Sequence, residues 1–389
     1  MKAWWMLVLA ALPLAACDDL FGSDDDDDGN DRRGAVYTMN NAAGGNFVLV
    51  YTRGEDGRLT RRDSVATGGN GSGPHPVFGT DPLESQDALI LREDNSMLFA
   101  VNAGTSQVTS FRVGSAGALT RVSTVSSGGQ FPVSLAMNGD VLYVVNAMGG
   151  GNISGFRVSG DGALAPLAGS TRALSGAAMP APGSIRISPN GQTVVVTEKA
   201  TNRLVLYGLG AGGVPGSGPT VIASPGPTPF GADFDAAGRY ILSIGNIGPN
   251  RAAVPDGSSA GSLTFPTSGS ATVISASVPT TETAACWVQI TPDGRYAYTT
   301  NTGSGTISGF RIGASGTLSA LTADGRTGVT GMMTQPLDMA YAGGYLYALT
   351  SGDRGIHVFR VGDDGSLAAQ TALNLTGVFP VSVTGLAAF

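Results

Sequence analysis

The chain has 389 residues, a formal net charge of −7, only 13% charged residues, and 59 glycines and 21 prolines. That length suffices for a sizeable core, and the acidic balance excludes a protein that grips nucleic acid through a basic surface. With only two cysteines, one of them near the N-terminus, a disulfide-stapled framework is excluded as well.

The first segment reads as a leader. Lys2 supplies a positive start, Trp4 to Leu14 an apolar run, and Leu14-Ala15-Ala16-Cys17 a bacterial lipobox-like end. The run is too short to span a bilayer, so residues 1–16 are expected to be a cleaved signal. Cys17 is then the acylated new N-terminus, with an ordinary secretory signal as the other reading. Multiple acyl chains would anchor the protein stably to a membrane. Residues 17–33 follow as an acidic flexible tether: Asp18, Asp19, Asp24 to Asp28 and Asp31, then Arg32 and Arg33. Such a block of like charge stays solvated. Beyond it remain 21 acids and 19 bases, so the low pI reflects the tether.

From Ala35 onward one pattern recurs seven times. An alternating apolar run ends in a polar residue, a Gly-rich turn follows, a second run ends Phe-Arg-Val or similar, and a Gly-x-Leu turn closes the unit. The clearest copies run from Val101-Asn102 to Phe111-Arg112-Val113, Val145-Asn146 to Phe156-Arg157-Val158, Thr300-Asn301 to Phe310-Arg311-Ile312 and Leu349-Thr350 to Phe359-Arg360-Val361. Weaker copies start at Asn40, Glu198 and Asn246. A spacing of roughly 45–60 residues is that of propeller blades, and units of this kind are stable only when stacked. The expected fold is all-β, a seven-bladed β-propeller of four-stranded blades over residues 34–389.

The third unit shows the division. Pro132 to Ala136 is strand one, Val141 to Val145 strand two, Ile153 to Val158 strand three and Leu164 to Ala168 strand four. The first unit begins with strand two at Ala35, and Val381 to Phe389 is a spare strand one. Pairing the C-terminal strand with the N-terminal blade closes the ring and covers the edges. The turns after strands one and three are short and uniform. The connections after strands two and four are long and varied, so a site is expected on their face, beside the central channel.

The repeat, with strand two reading like Tyr143-Val144-Val145-Asn146, resembles the lactonase-type seven-bladed propellers, which include propeller phosphogluconolactonases and carboxymuconate-lactonizing enzymes. The resemblance covers Ala35 to Phe389. Pro82-Leu83-Glu84-Ser85-Gln86, Thr197-Glu198-Lys199, Pro229-Phe230-Gly231 and Cys286-Trp287 look like the secreted bacterial branch. The family's Gly-Pro-Arg-His-like stretch is not reproduced. Ala284 to Val288 or Ala181 to Ile185 stands in its place, and Gly73-Pro74-His75-Pro76 is the nearest local match.

Candidate catalytic residues are Glu198, Asp338 and His75. His75 is a general base if its loop folds over the channel, and otherwise an exposed loop residue. Glu198 is a base or ligand contact, or the partner of Lys199 in an ion pair within the blade. Asp338 and Gln86 open inner strands and would form a polar ring with Glu198, or cap structure. Candidate substrate-binding residues are Gln86, Trp287, Cys286 and Asn301. Trp287 is a stacking platform or core. Cys286 is a buried structural thiol or a nucleophile without an evident base. Asn301, like Asn102 and Asn146, is a turn cap or a ligand contact.

No P-loop, zinc-ligand cluster, GxSxG elbow or dinucleotide fingerprint occurs, so no cofactor and no metal are expected. The composite expectation is a monomeric, lactonase-like lipoprotein of the cell envelope, facing the periplasm or the exterior. It would hydrolyse or form a lactone of a sugar acid or an aromatic-derived acid. A non-catalytic scaffold for a polysaccharide, peptide or envelope protein is the alternative.

Overall fold

The computed structural model describes residues 1, 34–74, 81–248, 252–265, 270–375 and 383–389. The signal, the tether, Cys17 and His75 therefore lie outside the described residues, as do the first two positions of the Val381 to Phe389 run.

Seven antiparallel sheets follow one another along the chain. In the third blade the strands are Gln130–Asn138, Val141–Met148, Asn152–Val158 and Leu164–Pro166, in spatial order from the axis outward. The outer strand is shorter than its sequence pattern suggests. A separate piece, Arg172–Ala173, completes it by pairing with Asn152 and Ile153. Gly328–Val329 and Leu373–Asn374 do the same in the sixth and seventh blades. Inner strands touch their counterparts in the next blade all the way round, which makes the stack a ring.

The ring closes as the sequence pattern implies. Thr384–Ala388 is the innermost strand of the first blade and pairs antiparallel with Gly34–Met39. Val36, Tyr37, Leu49, Leu386 and Ala387 are buried at this junction, and the Phe389 ring stacks on Tyr37 at 6.3 Å. The register slips at Gly385, with Thr38 opposite Leu386 and Met39 opposite Thr384. A bulge of this kind re-aims the flanking side chains.

The uniform turns do more than reverse the chain. Tyr37 donates to the Gly117 carbonyl at 2.9 Å, Tyr143 to Gly213 at 2.7 Å, Tyr298 to Gly365 at 2.8 Å and Tyr347 to Gly57 at 3.1 Å. In each case a tyrosine on a second strand locks the strand-three turn of the next blade. Ser110 to Gly162 and Ser262 to Gly316 fill the same seam between other blades. Gly117 has φ +77°, and a Cβ there would stand 2.3 Å from Ala35 Cβ. Gly117→Ala is therefore expected to cost more than about 1 kcal/mol, because the backbone strain adds to the clash. Urea unfolding measures this. An unchanged midpoint would show that the seam yields.

Candidate functional site

Six of the seven inner strands are entered through a strained residue. Glu84, Phe131, Ala181, Thr228, Ala284 and Gln335 all have φ between 49° and 61°. Four are followed directly by proline, and five of the six strands then bulge, as between Pro182 and Ser184 or Pro336 and Met339. Left-handed backbone at non-glycine residues is costly and persists where the surroundings over-determine it. Four of the six, Glu84, Ala181, Ala284 and Gln335, line the cleft at the channel mouth, on the face of the long connections.

A cleft of about 720 Å³ opens at that mouth. Its wall is mainly apolar: Phe230, Trp287, Ile247, Leu337, Pro227 and Ala253. Trp287 is buried, donates Nε1–H to the Ser85 carbonyl at 3.0 Å, and packs tilted on Phe230 with ring centres 4.8 Å apart. Among the described lining residues the charges are Asp81, Glu84 and Lys199. The Lys199 ammonium sits 4.6 Å from the centre of the Phe230 ring. It donates to the Glu84 and Pro182 carbonyls and stands 4.0 Å from the Glu84 carboxylate.

Asp81 is the best-held acid of the cleft. Its Oδ1 accepts the Leu83 N–H at 3.0 Å and the Thr384 hydroxyl at 3.2 Å, and its Oδ2 accepts the Ser85 N–H at 3.0 Å. Burial pushes its pKa up to about 6. The two backbone donors and the Lys199 charge oppose that rise, and the Glu84 charge adds to it.

The residues expected from sequence are only partly gathered here. Trp287 and Cys286 line the cleft and are themselves the bulged residues of the sixth blade's inner strand, between Ala285 and Val288. The Cys286 thiol contacts the Ala284 carbonyl at 3.2 Å, and burial pushes its pKa up to about 12, the opposite of what a nucleophile needs. Gln86 crosses the channel as a structural tie. Its amide bonds both N–H and C=O of Val288, at 2.9 and 2.8 Å, and reaches the Ala232 carbonyl at 3.3 Å. Glu198 lies away from the cleft. Its carboxylate accepts Ser175 N–H and hydroxyl and the Thr201 hydroxyl, and it makes no ion pair with Lys199, which turns instead to Glu84. Asn301 is fully buried, donating to Thr306 at 3.0 Å and Ser308 at 2.8 Å, so its side chain braces the strand-two end. The polar ring of Gln86, Glu198 and Asp338 does not form.

Asp338 sits deeper in the channel. It accepts the Met339 and Leu386 N–H groups at 2.9 and 3.2 Å, tying the seventh blade to the closing strand. Near it Arg186 pairs with Asp87 at 2.5 Å and with Asp233 at 3.4 Å. Two carboxylates thus share one guanidinium, with the Asp338 carboxylate near them. Burial raises all three, Asp87 to about 7 despite Arg186, and Asp338 also through the Asp87 charge. A folded-state pKa above the ordinary value means that the fold binds the proton more tightly than the unfolded chain. The resulting stabilisation is complete below about pH 4 and is lost as pH rises through about 7. The melting temperature is expected to fall between pH 5.5 and 8, for a loss on the order of 1–3 kcal/mol, and Asp87→Asn should flatten that slope. A melting temperature that climbs over this range would contradict the arrangement.

Sequence reasoning missed Asp81 and Glu84 as site residues. The available signal was the Asp81-Pro82 turn, where an aspartate bonds backbone N–H groups two and four residues on.

Ring, bulged inner strands and an acid-bearing cleft at the mouth define a propeller with a ligand-sized site on its axis. The chain belongs to the lactonase family of seven-bladed propellers: the profile described as "Lactonase, 7-bladed beta-propeller" matches residues 80–384. Among solved structures it is similar to a candidate 6-phosphogluconolactonase from Bacteroides uniformis, at 18% identity over 90% of this chain and 98% of that one, with TM-score 0.67. It is also similar to the periplasmic gluconolactonase of Pseudomonas aeruginosa, at 19% identity over 88% and 96%, with TM-score 0.66. A search of curated protein sequences finds no match. At these identities the likeness is one of fold.

Proposed function

We propose that the protein hydrolyses a lactone in the mouth cleft, with Asp81 as general base. The observation that carries this reading is a buried carboxylate opening into a largely apolar cleft at the channel mouth, with its pKa near 6. A base poised near neutrality balances availability against proton affinity. Among the described residues Oδ2 accepts only one N–H, which leaves room for a water. Asp81 takes a proton from that water as its oxygen attacks the lactone carbonyl carbon. The tetrahedral intermediate collapses with loss of the ring C–O bond, and the leaving alkoxide recovers the proton from Asp81. Trp287 and Phe230 offer an aromatic wall to the ring, and Lys199 supplies positive charge beside it. The family match and the named activity of the Pseudomonas neighbour support lactone chemistry. The test is a panel of sugar-acid and aromatic-derived lactones offered to the purified domain. Turnover that rises with pH through about 6 is expected, and no turnover with any lactone would remove the reading. Binding without turnover would favour a scaffold, a role for which the exposed Met179, Met332 and Met333 on the same face are suited.

The protein is further proposed to be an envelope lipoprotein, on the strength of Leu14-Ala15-Ala16-Cys17 after an apolar run. Among the described residues no helix is long and apolar enough to cross a membrane. Replacing Cys17 by Ser is expected to abolish acyl labelling and release the protein from membranes. Membrane association that survives the change would count against the anchor.

A further inference from the structure

The closing strand reaches into the cleft at one point. Thr384, its first residue, is 303 positions from Asp81 in the chain, yet its hydroxyl lies 3.2 Å from Asp81 Oδ1. Both side chains are buried, Thr384 at 2% and Asp81 at 4% exposure. The aim of Thr384 comes from the bulge next to it. Gly385 has φ +70°, and a Cβ there would meet Leu89 at 2.9 Å, so the slip of register is held by the second blade. With the Leu83 N–H, the hydroxyl fills both acceptor positions of Oδ1. That fixes the carboxylate plane and leaves Oδ2 turned to the other side, where Ser85 N–H is its one donor among the described residues.

We propose that Thr384 is a positioning residue for Asp81, so that the strand closing the propeller also orients the carboxylate of the cleft. The inference rests on the reading of Asp81 as the base of a lactonase site, but its geometry does not. A neutral hydroxyl donating to a carboxylate favours the charged form. The other charged or titratable groups around Asp81 are Glu84, Lys199 and Cys286, and none of them lies on the closing strand. Among the described residues of that strand, Thr384 makes the one hydrogen bond to the acid.

The experiment compares Thr384→Val and Thr384→Ser in the full chain. Val keeps the buried shape and removes the donor, and Ser keeps the donor. Asp81 is followed by carbon-13 NMR of aspartate-labelled protein, with Asp81→Asn to assign its signal, so the readout needs no turnover. In Thr384→Val the Asp81 pKa is expected to rise by about one unit, and Thr384→Ser should restore it. Where turnover is measurable, the acid limb of kcat/KM should move by the same amount. An Asp81 titration unmoved by Val, or moved equally by Val and Ser, overturns the proposal. A titration that moves in a protein without lactonase activity upholds the positioning role and removes the catalytic one.

Discussion

Removing Val383 to Phe389 is expected to leave a chain that does not fold, or that melts far below the intact domain. Val383 and Leu386 are buried at the junction, and burying side chains of their size contributes roughly 1.5–3 kcal/mol each. Cutting the strand also removes the paired bonds between Ala35 and Phe389 at 3.2 and 3.0 Å, the Arg53 bond to the Phe389 carbonyl at 3.1 Å and the Leu386 bond to Asp338. Asp338 would then lose one of the two N–H groups that hold it, at a buried site. Set against a total stability of about 5–15 kcal/mol, losses of this size are decisive. The inner edge of Gly34–Met39 would be bared at the same time, and an unpaired apolar edge invites aggregation. Thermal denaturation with light scattering measures both effects. A truncated chain with an unchanged melting temperature would falsify the closure account.

The second large effect is expected at Asp81. Asp81→Asn should lower kcat by roughly 10²–10⁴-fold, the usual contribution of a general base. The asparagine keeps the shape and one acceptor oxygen, so lactone binding and fold should largely persist. The rise of activity through about pH 6 should vanish with the carboxylate. Glu198→Gln serves as contrast. The Glu198 carboxylate is spent on Ser175 and Thr201, outside the cleft, and turnover should change little. Full activity in Asp81→Asn would move the base elsewhere, with Glu84 the next carboxylate on the cleft wall.

Much of the architecture was legible in the chain itself because its causes are local. Period-two alternation makes the strands, and turn glycines such as Gly117 and Gly365 sit at φ +77° and +86°, where side chains are disfavoured. The incomplete first unit and the spare C-terminal run announce closure, since an unpaired edge has no other partner of matching pattern. The site face was legible for a similar reason: alternating strand direction sorts short turns from long connections. Trp287 and Cys286 were found on the cleft wall because they open an inner strand, and that position points to the axis.

The chemistry within that face was not legible. Glu198 reads as a site carboxylate because it ends a second strand, but Ser175 and Thr201 capture it locally. Asn301 recurs with its blade, and recurrence marked a brace inside the fold. Asp81 looks like one more loop aspartate in the sequence. It becomes an unusually weak acid only where folding buries it, with Thr384 from the far end of the chain, Lys199 from the fourth blade and Cys286 from the sixth gathered round it. The repeat pattern alone determined the ring, because β periodicity and turn geometry act over a few residues. Which carboxylate faces a ligand was decided by tertiary structure, because desolvation and hydrogen bonding at the axis depend on groups hundreds of residues apart.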